Sequence, residues 1–188
     1  MHTGQLGCHR RCPGGWDVVS DTSVRAVQNH RVPIDFFNLL DDEGWMPLPV
    51  LQTASTYFWN DGGLLADAPV DMEATFKGGM EISNKVDRSF NLNGLRCAPG
   101  FTVPRHHHNM DELIIVFGGE FTLEYDDGPD NRDTLSSRTV GPGEFWISDA
   151  GTSYMMTAGP QGVTYIETWP DPMSQLETYW HEGGWIHR

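Results

Sequence analysis

The second half of the chain is a succession of short runs rich in β-branched and aromatic residues, each bounded by Gly, Pro, Asp or Asn. They read "SFNLNGLRCA", "FTVPRHH", "ELIIVF", "FTLEY", "RTV", "EFWIS", "SYMMTA" and "VTYIETW". That pattern predicts an all-β fold. Gly118-Gly119 supplies the positive φ of a tight turn, so "ELIIVF" and "FTLEY" are expected to form a hairpin of antiparallel neighbours. Within "FTLEY", Phe121, Leu123 and Tyr125 share one face and belong to the core, which turns Thr122 and Glu124 outward. The acidic loop Asp126 to Asp133 reads as a solvated hairpin tip.

The first half is less regular. Residues 1–15 are polar and without periodicity, a mobile tail, and residues 16–188 are expected to form a single domain. Between Trp16 and Gly78, "VVSDTSVRAV", "PIDFFNLL" and "VLQTASTYFW" read as short strands or a brief helix separated by Asp, Gly and Pro clusters. Cys8-His9-Arg10-Arg11-Cys12 resembles half a zinc site, but no second half follows at a matching spacing.

Composition narrows the function. The 188 residues, 38% of them hydrophobic, suffice for one domain with a real core. Twelve Lys and Arg against 26 Asp and Glu give a formal net charge of −14, which repels phosphate backbones and anionic lipid surfaces. The expected partner is therefore a small molecule, not a nucleic acid or a membrane. The longest purely apolar run is Leu113 to Phe117, no secretory signal is evident, and three cysteines make no disulfide framework. A cytoplasmic, reducing location is expected.

Candidate chemistry sits in "PGFTVPRHHHNMDELIIVFGGEF", Pro99 to Phe121. Strand alternation puts His106 and His108 on one face and His107 on the other. A turn at Asn109-Met110-Asp111 can return Glu112 beside the pair. Two imidazoles and a carboxylate on one side of an ion make a facial set that suits non-haem Fe(II) and leaves positions open for substrate and O2. Zinc accepts the same donors.

These residues resemble a known family. Gly100-(x5)-His106-x-His108-(x3)-Glu112-(x6)-Gly119 is similar to the first motif of the cupin superfamily at every defining position. "GPGEFWISDAGTSY" is similar to the second motif through Pro142, Gly143, Glu144 and Gly151. It departs from that motif at Asp149, where Pro is usual, and at Tyr154, which takes the place of the family's His ligand. The resemblance spans about residues 87–170. It implies a double-stranded β-helix, the cupin jelly-roll barrel, with additional N-terminal strands from residues 16–87, a metal in the barrel mouth and a homodimer. Family sites hold three His and one Glu. Here the metal ligands are His106, His108 and Glu112, with Tyr154 and Glu112 as catalytic candidates. Tyr154 has three open roles, as hydrogen-bond donor, phenolate ligand or wall residue, and a buried hydroxyl's need for a partner favours the first.

Other residues have more than one reading. Arg96 is either a clamp for a substrate carboxylate or a surface salt bridge. Met156 is expected beside Tyr154 on the inner wall, and "TYWHEGGWIH", with His181 and His187, reads as a packing arm or interface segment. Phe101, Phe121, Phe145, Trp146 and Tyr165 near the barrel walls would admit an aromatic or enolisable ketone substrate. The chain thus reads as a metal-dependent cupin-type enzyme for a small organic molecule, with Fe(II) dioxygenase chemistry leading. The alternatives are a redox-neutral isomerase or lyase using Zn, Ni or Mn, and a non-catalytic binding protein.

Overall fold

The computed structural model describes residues 37–49, 56–60, 63–83, 90–126 and 135–184. The expected tail, the CHRRC segment, "VVSDTSVRAV", the loop after Asp126 and His187 lie outside the described residues.

Two long strands organise the barrel. β7 (Glu112–Asp126) and β10 (Tyr154–Thr168) pair antiparallel along nearly their whole lengths, and each belongs to two sheets. In one sheet, β5 (Leu92–Cys97) pairs with the second half of β10, which pairs with the first half of β7, which pairs with β9 (Phe145–Ser148). In the other, β6 (Thr102–His108) pairs with the first half of β10, which pairs with the second half of β7, which pairs with β8 (Leu135–Val140). Two four-stranded sheets sharing two bent strands make a double-stranded β-helix, the jelly roll expected from the cupin resemblance.

The N-terminal strands extend both sheets, as expected. β1 (Trp45–Pro47) and β4 (Met80–Ser83) continue the first sheet outward from β5. β11 (Thr178–His181) pairs with β6 in the second sheet and, in parallel, with β2 (Thr56–Asn60), which pairs with β3 (Gly63–Leu65). Of the C-terminal segment, Thr178–His181 is thus a packed strand. Helix α1 (Met72–Phe76) starts where the Asp71 side chain accepts from the Ala74 N–H at 3.0 Å, and it buries Met72 and Phe76. No helix among the described residues is long and apolar enough to cross a membrane.

Four expectations need correction. Gly118-Gly119 makes no hairpin, because β7 runs straight through it from one sheet to the other. Gly119 has φ +69°, and a Cβ there would stand 2.0 Å from the Gly162 carbonyl oxygen of β10. A double glycine serves a tight turn and a close crossing of two backbones equally well, and here the neighbouring strand decides. "SYMMTA" and "VTYIETW" are likewise halves of one strand. Phe145 is 63% exposed and borders a smaller cavity from the outer side of β9, not the larger one between the sheets. The part of "PIDFFNLL" that is described forms a turn, not a strand or helix.

The core lies between the two sheets. Ile114, Val116, Phe121 and Tyr165 are fully buried, and burial of each such side chain stabilises the fold by about 1.5–3 kcal/mol. Arg96 faces outward. Its guanidinium donates to the Leu39 and Asp41 carbonyls at 3.1 and 2.7 Å and lies over the Trp45 ring, so it ties residues 39–45 to β5 and is no substrate clamp.

The crossing yields a test. Gly119→Ala combines positive φ with backbone overlap and should cost about 3 kcal/mol or more. Gly143→Ala has positive φ but open space around it, and should cost only about 1 kcal/mol. Urea denaturation of the two variants checks this, and equal losses would contradict it.

Candidate metal centre and its cavity

A bulge sets the direction of the histidines. β6 advances three residues, Val103 to His106, where its partner β10 advances two, from Met156 to Tyr154. Val103 lines the barrel cavity, so strict alternation would send Arg105 and His107 inward. The extra residue resets the parity. His106 and His108 therefore turn in and are buried, while His107 turns out to meet His181 at 2.8 Å and to stack on Tyr179. Pro104 suits this position because a bulge frees a backbone nitrogen from the ladder.

The two inward imidazoles are oriented from behind. His106 Nδ1 lies 2.7 Å from the Pro104 carbonyl oxygen. A carbonyl only accepts, so Nδ1 carries the proton and the Nε2 lone pair is left for the cavity. His108 Nδ1 lies 3.1 Å from Thr178 Oγ1 of β11, and its Nε2 is 3.6 Å from Glu112 Oε1. Burial pushes both imidazoles down, His108 to about 4, so both are neutral at pH 7. Neutral imidazole is the form that ligates.

Glu112 begins β7 and is buried against this pair. The Tyr154 hydroxyl donates to its Oε2, while Oε1 is buried with no hydrogen-bond partner. Burial and the nearby Glu167 carboxyl raise the Glu112 pKa well above the usual carboxylate range, against the pull of the Tyr154 bond. Burial, followed by the Glu112 charge, pushes the Tyr154 phenol well above its ordinary value. Tyr154 thus donates a hydrogen bond, with the carboxyl of Glu112 as its acceptor.

The four groups converge, with the His106 ring 4.6 Å from the Tyr154 ring and 5.1 Å from the His108 ring, centroid to centroid. As they stand, the described side chains form no ready cluster of three His, Cys, Asp or Glu donors about one point. The donor chemistry still fits a divalent ion. Two neutral imidazoles with their far nitrogens tied and a buried carboxyl oxygen with no partner are what an ion would satisfy.

His106 and His108 open onto a cavity of about 370 Å³ between the sheets. Its walls are mainly apolar and aromatic, with Met156 on the inner wall as expected, and Trp180 of β11 lies 4.6 Å from the His106 ring. Trp146 lines a separate cavity of about 160 Å³ on which Tyr154 also borders. Phe101 and Phe121 are core residues lining neither cavity, and of the five aromatics expected at the walls Tyr165 lines the larger one.

Sequence reasoning missed Glu167. It faces the larger cavity, where Asn93 Nδ2 donates to its Oε1 at 2.8 Å. Burial raises its pKa to about 7, opposed by the Asn93 bond. Alternation carried the signal, since Val163, Tyr165 and Glu167 share one face of β10.

No family model matches the chain. No curated protein matches it either. Similar solved structures include oxalate decarboxylase from Bacillus subtilis, 20% identical over 50% of this chain and 25% of that one, at a TM-score of 0.42. An oxalate oxidase is 21% identical over 55% of this chain and 47% of that one, at a TM-score of 0.41. Recombinant oxalate oxidase in complex with glycolate is 22% identical over 54% of this chain and 47% of that one, at a TM-score of 0.41. The chain spans about a quarter to a half of the length of these proteins.

Tyr154→Phe leaves both Glu112 carboxyl oxygens unpartnered and should lower stability by about 1–3 kcal/mol in urea titration. An unchanged midpoint would make Tyr154 a packing residue. The folded pKa of Glu167, about 7, lies above its ordinary 4.5. Between these values the folded chain holds a proton that the unfolded chain has released. The stability contributed is thus complete near pH 4.5 and lost as pH rises through 7. Relative to Glu167→Gln, the wild-type chain in chelator should lose on the order of 2–3 kcal/mol from pH 4.5 to 7.5. Parallel pH profiles would contradict this.

Proposed function

We propose that this protein is a cupin-type, divalent-metal-dependent enzyme acting on a small organic molecule, with non-haem Fe(II) dioxygenation as its leading reaction. The observation that carries the reading is the unpartnered Glu112 Oε1 beside two neutral, back-tied imidazoles that face an apolar cavity. Leaving a buried carboxyl oxygen unsatisfied costs on the order of 1–3 kcal/mol, a cost that an ion removes.

His106 Nε2, His108 Nε2 and Glu112 Oε1 would hold the metal, which supplies Lewis-acid and, as iron, redox chemistry toward O2. Tyr154 fixes the Glu112 carboxyl through Oε2 and leaves the other oxygen facing the histidines. The hydrogen bonds from His106 to Pro104 and between His108 and Thr178 fix the ring orientations. The aromatic and aliphatic walls exclude water and seat an apolar substrate body.

A redox-neutral isomerase or lyase has one observation in its favour. Glu167, poised near neutrality on the cavity wall, can take up or release a proton at working pH. Oxygen consumption during turnover separates the two reactions.

His106→Ala or His108→Ala should remove most of the metal bound by anaerobically loaded protein, and His107→Ala should not, as read by elemental analysis. Equal loss from all three would refute the assignment. Glu112→Gln should weaken metal retention while the fold survives, and unchanged metal content would make Glu112 a structural residue.

A further inference from the structure

The charged side chain lining the larger cavity is an acid. No Lys or Arg among the described residues lines it. Arg105 is engaged by Asp126 at 2.9 Å, Arg96 by residues 39–42, and Arg138 borders the smaller cavity, where it bonds Glu144. The acid in the larger cavity is Glu167, with its Oε1 fixed by the Asn93 amide and Glu112 nearby in the metal centre. The same cavity is lined by the aromatic residues Phe76, Tyr165, Trp169 and Trp180 and by Leu95 and Met156. Trp169 Nε1 is buried without a partner.

We propose that the substrate of this cavity is an organic amine, with an apolar body of about aromatic size against these walls and its amino group donated to Glu167. The inference rests on the reading of this cavity as the substrate site and adds the substrate's class. A carboxylate placed against Glu167 would meet no described Lys or Arg, and a partly buried like-charge pair is strongly disfavoured, so in this cavity it would turn to the proposed ion and leave Glu167 unused. An ammonium makes a charge-assisted hydrogen bond there, and aromatic faces add cation–π attraction. The net charge of −14 also draws cations toward the molecule. Asn93 holds one carboxyl oxygen, so the other is presented in a fixed direction.

A matched series tests the proposal on the full-length chain. 2-Phenylethylamine, 2-phenylethanol and 3-phenylpropanoate share a body and differ in the end group. Their binding is read by fluorescence of the cavity tryptophans, Trp169 and Trp180. At pH 7.5, in chelator so that no ion offsets Glu167, the amine should bind about tenfold or more tighter than the carboxylate, with the alcohol between them. Glu167→Gln, which keeps the shape and removes the charge, should bring that ratio to about threefold or less. The same ratio in His106→Ala is independent of a bound ion, so it tests the amine inference even where the metal reading fails. Equal or tighter binding of the carboxylate, an unchanged ratio in Glu167→Gln, or binding of none of the three overturns the proposal. Where Glu167→Gln does not fold, the wild-type ratio decides alone.

Discussion

The hydrogen bond between His106 Nδ1 and the Pro104 carbonyl, 2.7 Å long, sits where β6 carries one residue more than β10. The rest of the site depends on that bulge. It turns His106 and His108 into the barrel, and the Pro104 carbonyl within it fixes which nitrogen of His106 carries the proton. Without the extra residue, Arg105 and His107 would face the cavity, and a fixed cation would stand where two neutral imidazoles now do. Instead Arg105 bonds Asp126 and Ser153 on the other side of the strand.

The second requirement is that strands from two sheets meet at one end of the barrel. Glu112 lies in the sheet of β5 and β9, while His106, His108 and Tyr154 lie in the sheet of β6 and β8. β7 and β10 bring them together because both change sheet at the same level, where Gly119 and Gly162 let their backbones approach. The result is a buried polar group of two imidazoles, a phenol and a carboxyl, which hydrophobic packing alone would not favour. The Tyr154–Glu112 bond recovers part of that cost, and Glu112 Oε1 remains unsatisfied. That remaining penalty is what the proposed ion would relieve.

Much of this was legible in the residues. Strand runs with Gly and Pro boundaries gave the all-β class, and alternation separated His106 and His108 from His107. Alternation cannot say which face is inward, since Phe101 and Val103 alone would have chosen His107. The bulge that decides it comes from pairing with β10, which no local pattern encodes. The double glycine misled for the same reason, because its role depends on Gly162 more than forty residues away. Glu167 was legible in "VTYIETW" once Tyr165 is placed inside, but a single acid among aromatics reads as surface until the sheet is known. The partner of the Tyr154 hydroxyl was out of reach from sequence, because Tyr154 and Glu112 meet only in three dimensions.

The central claim is that His106, His108 and Glu112 hold one divalent ion. X-ray absorption at the iron edge, on full-length protein loaded with Fe(II) under anaerobic conditions, tests it most directly. The account predicts retained iron with nitrogen and oxygen neighbours only, and outer-shell scattering from two imidazoles. Sulfur in the first shell, scattering from one imidazole or none, or iron that washes out entirely would contradict it.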